Sequence, residues 1–85
     1  MEKGDIVKVK TNTNRDVIGI VEYFDVNQVV FNTYFYQNEL HFRSGAVYGY
    51  TIMPLEPIDD LIFKNALIAE GYSYDVETKT IIHEL

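Results

Sequence analysis

The hydrophobic pattern of this 85-residue chain changes from the period of a strand to that of a helix at Pro57. Before that point, apolar residues recur at every second position in short runs, which is the spacing of half-buried β-strands. From residue 57 to 71 they recur at helical spacing. Proline is favoured at a first helical position and Gly71 suits the left-handed stop of a helix. We therefore predict one domain that is mostly β, with a single helix at residues 57–71.

The segment before the helix, residues 1–55, is predicted to form a bent antiparallel sheet or small barrel. Its strands are expected at residues 5–10, 16–24, 29–37, 40–42 and 46–53, separated by polar turns at 11–14 and 25–28. Gly19 interrupts the second apolar run, and a glycine in such a run indicates a bulge or a sharp bend. A terminal hairpin is expected at residues 72–85. An α+β sandwich is the alternative architecture.

Strict alternation also predicts which side chains share a face. In the first strand, the valines face the core and Lys8 and Lys10 face water. In the third strand, one face carries Val29, Phe31, Thr33 and Phe35, and the opposite face carries Asn32, Tyr34 and Tyr36. In the last strand before the helix, Tyr48, Tyr50 and Ile52 are expected to share a face.

The helix is apolar over more than one face. Its apolar residues are Ile58, Leu61, Ile62, Phe63, Ala66, Leu67, Ile68 and Ala69, which exceed the roughly 100° stripe of a helix lying on one surface. The sheet can cover one side. The terminal hairpin is our preferred cover for the other, and the alternative is a second subunit that packs on Phe63 and Leu67 as a homo-oligomer.

Charge and composition narrow the functional classes. The net charge is −6, and the chain has no cysteine, so disulfides and thiolate metal sites are excluded. An acidic chain is a poor match to phosphate backbones, which bind clustered cations. We find neither a leader-like N-terminus nor an apolar run of the roughly 20 residues that cross a bilayer. We therefore expect a cytoplasmic protein that does not contact membranes.

Two stretches resemble known small proteins. Residues 4–9, Gly-Asp-Ile-Val-Lys-Val, followed by Gly-Ile-Val-Glu-Tyr at 19–23, resemble the start of SH3-like barrels, including the YopX-like proteins of phages. Residues 71–81 resemble a helix-then-hairpin tail of small phage and mobile-element proteins, with Tyr74 where tryptophan is more usual. The resemblance implies an SH3-like barrel followed by a helix and a hairpin, and a phage or mobile-element origin. It implies no catalytic residues.

No pattern in the chain predicts catalysis or a cofactor. His41 and His83 lack the spacing of a metal site, and the serines lack a Gly-x-Ser-x-Gly elbow. Adjacent Asp59 and Asp60 point about 100° apart on a helix, and their place in the first turn suits the helix dipole. The five glycines form no phosphate-binding loop. We expect no catalytic, metal or cofactor site and no enzymatic activity.

The tyrosines are the feature that most suggests binding. Tyr34, Tyr36, Tyr48 and Tyr50 alternate on two predicted strands and could form a row that contacts a protein, or could simply pair across the sheet. The sequence also suggests a basic edge that consists of Lys8, Lys10, Arg15 and Arg43. Together with the tyrosines, this edge would contact nucleic acid. We expect a protein-interaction module, and a nucleic-acid-binding accessory protein is the alternative.

Overall fold

The computed structural model describes residues 1–83 and contains eight β-strands and one α-helix. The elements are β1 (Ile6–Lys10), β2 (Asp16–Phe24), β3 (Gln28–Tyr36), β4 (Glu39–His41), β5 (Gly45–Tyr48), β6 (Thr51–Met53), α1 (Pro57–Ala69), β7 (Tyr72–Asp75) and β8 (Thr80–His83). The mostly-β composition, the single helix and the antiparallel pairing are confirmed. The predicted terminal hairpin is present as β7 and β8, and its last two residues lie outside the described part of the chain.

The first six strands form one sheet in the order β4, β3, β2, β1, β6, and β5 pairs with β3. All of the pairings are antiparallel. β5 thus pairs with the N-terminal half of β3, whereas β6 pairs with the C-terminal half of β1. These two short strands lie at opposite ends of the sheet that β1, β2 and β3 form. The sheet is bent in this way, but its strands do not form a closed barrel.

A pair of bulges separates the two halves of β2 and β3. Ile20 pairs with Thr33 whereas Val21 pairs with Phe31, so that Asn32 is an extra residue on β3. Glu22 is the extra residue on β2, because the next pair after Val21 begins at Tyr23. The two extra residues contact each other, since the Asn32 amide donates a hydrogen bond of 3.1 Å to Glu22. A one-residue insertion reverses the face of every following side chain.

The extra residue Asn32 makes the predicted faces of β3 wrong. Phe31 lies in the core cluster on one side of the sheet, and Tyr34 and Tyr36 pack against that same cluster, whereas Phe35 packs on the other side. Strict alternation wrongly placed Phe31 with Phe35 and opposite the tyrosines. Gly19 itself pairs in regular register with Val7 and Tyr34; the first register shift follows between Ile20 and Val21, and its extra residue is on β3 rather than at Gly19.

The sheet separates two apolar clusters. One consists of the buried residues Val9, Val17, Val21, Val29 and Phe31. The other, on the opposite side, contains Ile18 and Ile20 from β2 together with Phe63 and Leu67 from α1, with Tyr72, Tyr74 and Ile81 of the terminal hairpin packed against it. The hairpin therefore covers the inward side of the helix together with the sheet, whereas Ile58, Leu61, Ile62 and Ile68 of the predicted apolar set remain exposed. Phe63 and Leu67 are both 0 % exposed, so the predicted subunit contact through these two residues is wrong.

An ion pair joins the helix to β1. Lys8 Nζ lies 3.2 and 3.3 Å from the two carboxylate oxygens of Asp59, and both side chains are largely buried. One of these oxygens also accepts a hydrogen bond of 3.0 Å from the backbone N–H of Glu56, the residue that precedes the helix. The prediction that Lys8 faces water is wrong, because α1 covers that face of β1. Asp59 therefore does more than complement the helix dipole.

The predicted strand at residues 46–53 is divided in two. Gly49 has a φ of 61°, which ends β5, and its N–H donates to the carbonyl of Asn27 at 2.9 Å. The chain then turns away from β3, and β6 begins at Thr51 beside β1. The kink separates Tyr48, on β5, from Tyr50, which lies between the two strands.

A cleft lined by tyrosines

Three of the four candidate tyrosines line one cleft of about 390 Å³ on the side of the sheet away from α1. Val17 and Phe31 contribute buried apolar side chains. The residues lining the cleft come from the β1–β2 turn, from β2, from β3 and from β5, and they are Thr11, Asn12, Thr13, Val17, Phe31, Tyr34, Tyr36, Gly45, Ala46, Val47 and Tyr48. We call this site the tyrosine cleft. Among residues 1–83, the tyrosine phenols are the ionisable side chains that line it.

Tyr34 is the most tightly held of the three. Its ring stacks on His41 of the neighbouring strand with a centroid distance of 4.8 Å. It also lies so close to Gly45 that any Cβ there would overlap the ring carbons. The phenol oxygen accepts a hydrogen bond of 3.3 Å from Arg43 Nε. Contacts on several sides give Tyr34 one orientation, and preorganised aromatic side chains lose little entropy on binding.

Tyr36 and Tyr48 differ from Tyr34 in exposure. Tyr36 is half-buried and packs against the core cluster that contains Phe31. Tyr48 is 64 % exposed and lies at the end of β5, paired with Gln28. Of the three tyrosines, Tyr48 is therefore the one that can be removed with least effect on the fold.

Tyr50 is not among the residues that line the cleft. It packs against the same core cluster, and its hydroxyl donates a hydrogen bond of 2.9 Å to the carbonyl oxygen of Asp25. The predicted row of four tyrosines is thus a group of three. The fourth, Tyr50, instead links the kink after β5 to the β2–β3 turn through a hydrogen bond. This arrangement depends on Gly49, which sequence alternation ignores.

The β2–β3 turn is itself held by Asp25. One carboxylate oxygen accepts the backbone N–H groups of Asn27 and Gln28 at 2.8 and 3.0 Å, and the other accepts the hydroxyl of Tyr23 at 2.9 Å. These donors, chiefly the N–H of Asn27, keep the pKa of Asp25 below its ordinary value. The same carboxylate raises the pKa of Tyr23. The turn that receives Tyr50 is therefore well ordered by its own hydrogen bonds.

The four residues of the predicted basic edge have different environments. Lys8 is paired with Asp59 beneath the helix, and Lys10 Nζ lies 3.0 Å from Asp16. Arg43 contacts the Tyr34 hydroxyl at the cleft. The Arg15 side chain has no ion pair among residues 1–83. Two of the four positive charges are thus neutralised by carboxylates of the chain itself.

Other sites offer less chemistry. A second cavity, of about 400 Å³, lies between the bulge and the terminal hairpin, and both of its lysines pair with carboxylates: Lys3 with Glu22, and Lys79 with Glu2 and Asp5. Across residues 1–83, no three His, Asp or Glu side chains are grouped as a metal site would need. The helix in that part of the chain is too short to cross a membrane.

Sequence reasoning identified Tyr34, Tyr36 and Tyr48 but missed the other parts of the cleft. Strict alternation places Phe31 on the opposite face of β3 from Tyr34 and Tyr36, and the polar composition of residues 11–13 predicts only a turn. Gly45 was a usable signal, because a glycine at the start of an apolar strand often marks a close approach.

Comparisons with protein-family models, curated proteins and solved structures found no match for the chain.

Proposed function

We propose that this chain is a non-enzymatic protein-interaction module, and that the tyrosine cleft receives an extended segment of a partner protein. The observation that carries the proposal is the convergence of three tyrosines around buried apolar residues in an open cleft. Ligand sites in proteins are typically apolar concavities with a few polar groups that orient the ligand. Here the phenol hydroxyls and the side chains of Thr11, Asn12 and Thr13 provide those polar groups.

The chemistry of the cleft favours an extended, proline-containing segment. Such segments dock between aromatic rings with little loss of entropy, because the polyproline conformation is already formed. The absence of carboxylates and ammonium groups among the lining residues favours an uncharged stretch. Tryptophan, usual in grooves of this type, is absent from the chain, and Tyr34 stacked on His41 would provide the flat surface instead.

The finer architecture belongs to the same proposal. We infer an SH3-like barrel arrangement, supported by the segment from β5 to β6, which pairs with β3 at one end and with β1 at the other. In that arrangement the cleft lies beside the β1–β2 turn. The resemblance of the opening to small phage proteins would place the module in a phage or mobile element, acting within the cytoplasm.

Nucleic acid is the second candidate, and the ion pairs weigh against it. Lys8 and Lys10 are already neutralised, and the chain as a whole is acidic. Of the four residues of the basic edge, Arg15 and Arg43 remain for phosphates, whereas sequence-independent binding depends on many cations. A base could still stack on the exposed Tyr48.

The test is a selection from a random peptide library on the immobilised protein, followed by fluorescence anisotropy with the selected peptides. We expect enrichment of extended apolar or proline-containing peptides, and we expect Tyr48→Ala to weaken their binding about tenfold. Tyr23→Ala is the matched control, because Tyr23 is 52 % exposed and lies outside the cleft. Circular dichroism checks that both variants fold.

Two results would contradict the proposal. One is a selection without enrichment, and the other is a set of peptides that bind Tyr48→Ala as tightly as the unmodified chain. A single-stranded oligonucleotide is titrated in parallel at low and moderate salt. Affinity that falls steeply with salt and depends on Arg43 would favour the nucleic-acid alternative.

A further inference from the structure

The outward face of α1 is mostly apolar. Its apolar residues, which we call the helix stripe, are Ile58, Leu61, Ile62, Ile68 and Ala69, all exposed, and the polar Asn65 lies among them. Their spacing of three and four residues places them on one side of the helix. Exposure reaches 59 % for Ile58 and 62 % for Ile68, whereas Phe63 and Leu67 on the inward side are fully buried. The helix thus has one covered and one uncovered apolar face.

This uncovered face is unusual for a helix on the surface of a small protein. Single exposed aliphatic residues are normal, but a surface helix generally carries charged and polar side chains opposite its buried face. Here four branched aliphatic residues extend over about 15 Å of helix, from residue 58 to 68. Contiguous exposed apolar surface of this kind typically marks a contact with another molecule.

The charges around the helix stripe are negative at both ends. Glu56 lies exposed just before the helix and Glu70 lies exposed just after it. The last turn contains no basic residue, so the negative end of the helix dipole and Glu70 reinforce each other. The single lysine of the helix, Lys64, pairs with Asp60 at 3.0 Å and lies over the Tyr74 ring. Glu70 therefore has no compensating cation on the helix, whereas the Glu56 carboxylate lies at the positive end of the helix dipole and accepts the backbone N–H of Asp59.

We propose that the helix stripe docks a basic amphipathic helix of a partner protein, whose apolar face covers the stripe and whose lysines or arginines approach Glu56 and Glu70. This surface is separate from the tyrosine cleft, which lies on the other side of the sheet. Opposite charges at the rim of an apolar contact increase the association rate and exclude wrong partners. A cation near Glu70 would in addition be stabilised by the helix dipole.

Charge also argues against two other occupants. Two copies of the chain packed helix to helix would bring Glu56 and Glu70 of one copy close to the same residues of the other, and each copy carries a net charge of −6. A membrane surface is a poor match because interfacial helices carry lysine and arginine on the polar side, where this helix has acidic residues at its ends. The basic helix is the occupant that satisfies both the apolar face and the charge.

The probe is a synthetic amphipathic peptide with leucines along one helical face and lysines elsewhere, compared with a peptide in which glutamate replaces every lysine. Binding to the full chain is measured by isothermal titration calorimetry at physiological salt. We expect the lysine peptide to bind and Leu61→Asn to weaken that binding about tenfold or more. Glu70→Lys should weaken it several-fold. Val76→Asn, at a 63 % exposed site in the β7–β8 turn, should leave it unchanged.

Several outcomes would overturn the proposal. These are no binding of the lysine peptide, equal binding of the glutamate peptide, or equal loss of binding in Val76→Asn and Leu61→Asn. Sedimentation that shows a dimer of the unmodified chain, dissociated by Leu61→Asn, would assign the helix stripe to a second copy instead. Tyr48→Ala is measured alongside and should bind the lysine peptide normally, which separates this surface from the tyrosine cleft.

Discussion

A methyl group added at Gly19 tests how closely β2 approaches Phe31. A Cβ at this position would lie 2.6 and 2.7 Å from Cγ and Cδ1 of Phe31 and 3.0 Å from the carbonyl oxygen of Thr33. Ordinary contacts between carbon atoms are about 3.5–4.0 Å, so the ring would have to retreat by roughly 1 Å. Phe31 is 1 % exposed and packs in one cluster with Val9, Val21 and Val29, so a retreat of the ring would disturb the packing of the core.

Two opposing effects set the magnitude for Gly19→Ala. Replacing glycine reduces the entropy of the unfolded chain and stabilises by about 0.4–1 kcal/mol where the conformation allows it. Overpacking a core costs about 1–3 kcal/mol, and here the strain includes backbone as well as a ring. We expect the steric cost to exceed the entropic gain, so that the free energy of unfolding falls by about 1–2 kcal/mol. The melting temperature should then fall by roughly 5–15 °C.

The assay is urea denaturation of Gly19→Ala, Phe31→Leu and the double variant. If the clash with the ring is the cause, the smaller side chain at position 31 should relieve it, with a coupling energy of about 1 kcal/mol or more. Gly49→Ala is the control, because its Cβ would meet only Asn12 at 3.8 Å and its cost comes from the positive φ of 61°. Undiminished stability of Gly19→Ala, or no coupling to Phe31, would refute this reasoning.

Three further predictions concern the N-terminal segment, the terminal hairpin and the end of the helix. Tyr74→Phe removes the hydroxyl that donates to the Gly4 carbonyl at 2.5 Å, and should lower the urea midpoint by an amount equivalent to about 1 kcal/mol. The ion pair with Lys79 keeps the pKa of Asp5 low, so the stabilisation of the fold by this pair is present at neutral pH and is lost as the pH falls through the pKa of Asp5 in the folded state. Asp5→Asn should therefore lower the free energy of unfolding by up to about 1 kcal/mol at neutral pH and by less in strong acid. Glu70→Lys should raise the melting temperature, with a gain of about 0.3–1 kcal/mol, because it places a cation at the helix C-terminus.

The elements that follow from local patterning were predictable. The helix begins at Pro57 as expected and ends at Ala69, followed by Gly71 with a φ of 85°. The turn at residues 25–28 forms because Asp25 hydrogen-bonds its own backbone, which its residue type already indicates. Such signals lie within a few residues of the structure they specify. Such elements can therefore be predicted without knowing how the strands pair or pack.

Side-chain orientation beyond the bulge was not predictable, because nothing in the local sequence distinguishes Asn32 from a regular strand residue. Its role depends on Glu22 of the neighbouring strand, which is likewise an ordinary polar residue. The burial of Lys8 has the same origin, since it depends on the arrival of Asp59 from a helix that begins almost fifty residues later. Both errors arise from contacts between distant segments.

The tyrosine cleft is a consequence of that bulge. Without the extra residue, Tyr34 and Tyr36 would lie on the side of the sheet that α1 and the terminal hairpin cover, where their hydroxyls would need buried partners. With it, both rings stand beside Phe31, on the side where β5 brings Tyr48 to them. A deletion of Asn32 should therefore disrupt the cleft and the core together, whereas Tyr48→Ala alters only the cleft. This difference links the site to the register of two strands rather than to the tyrosines alone.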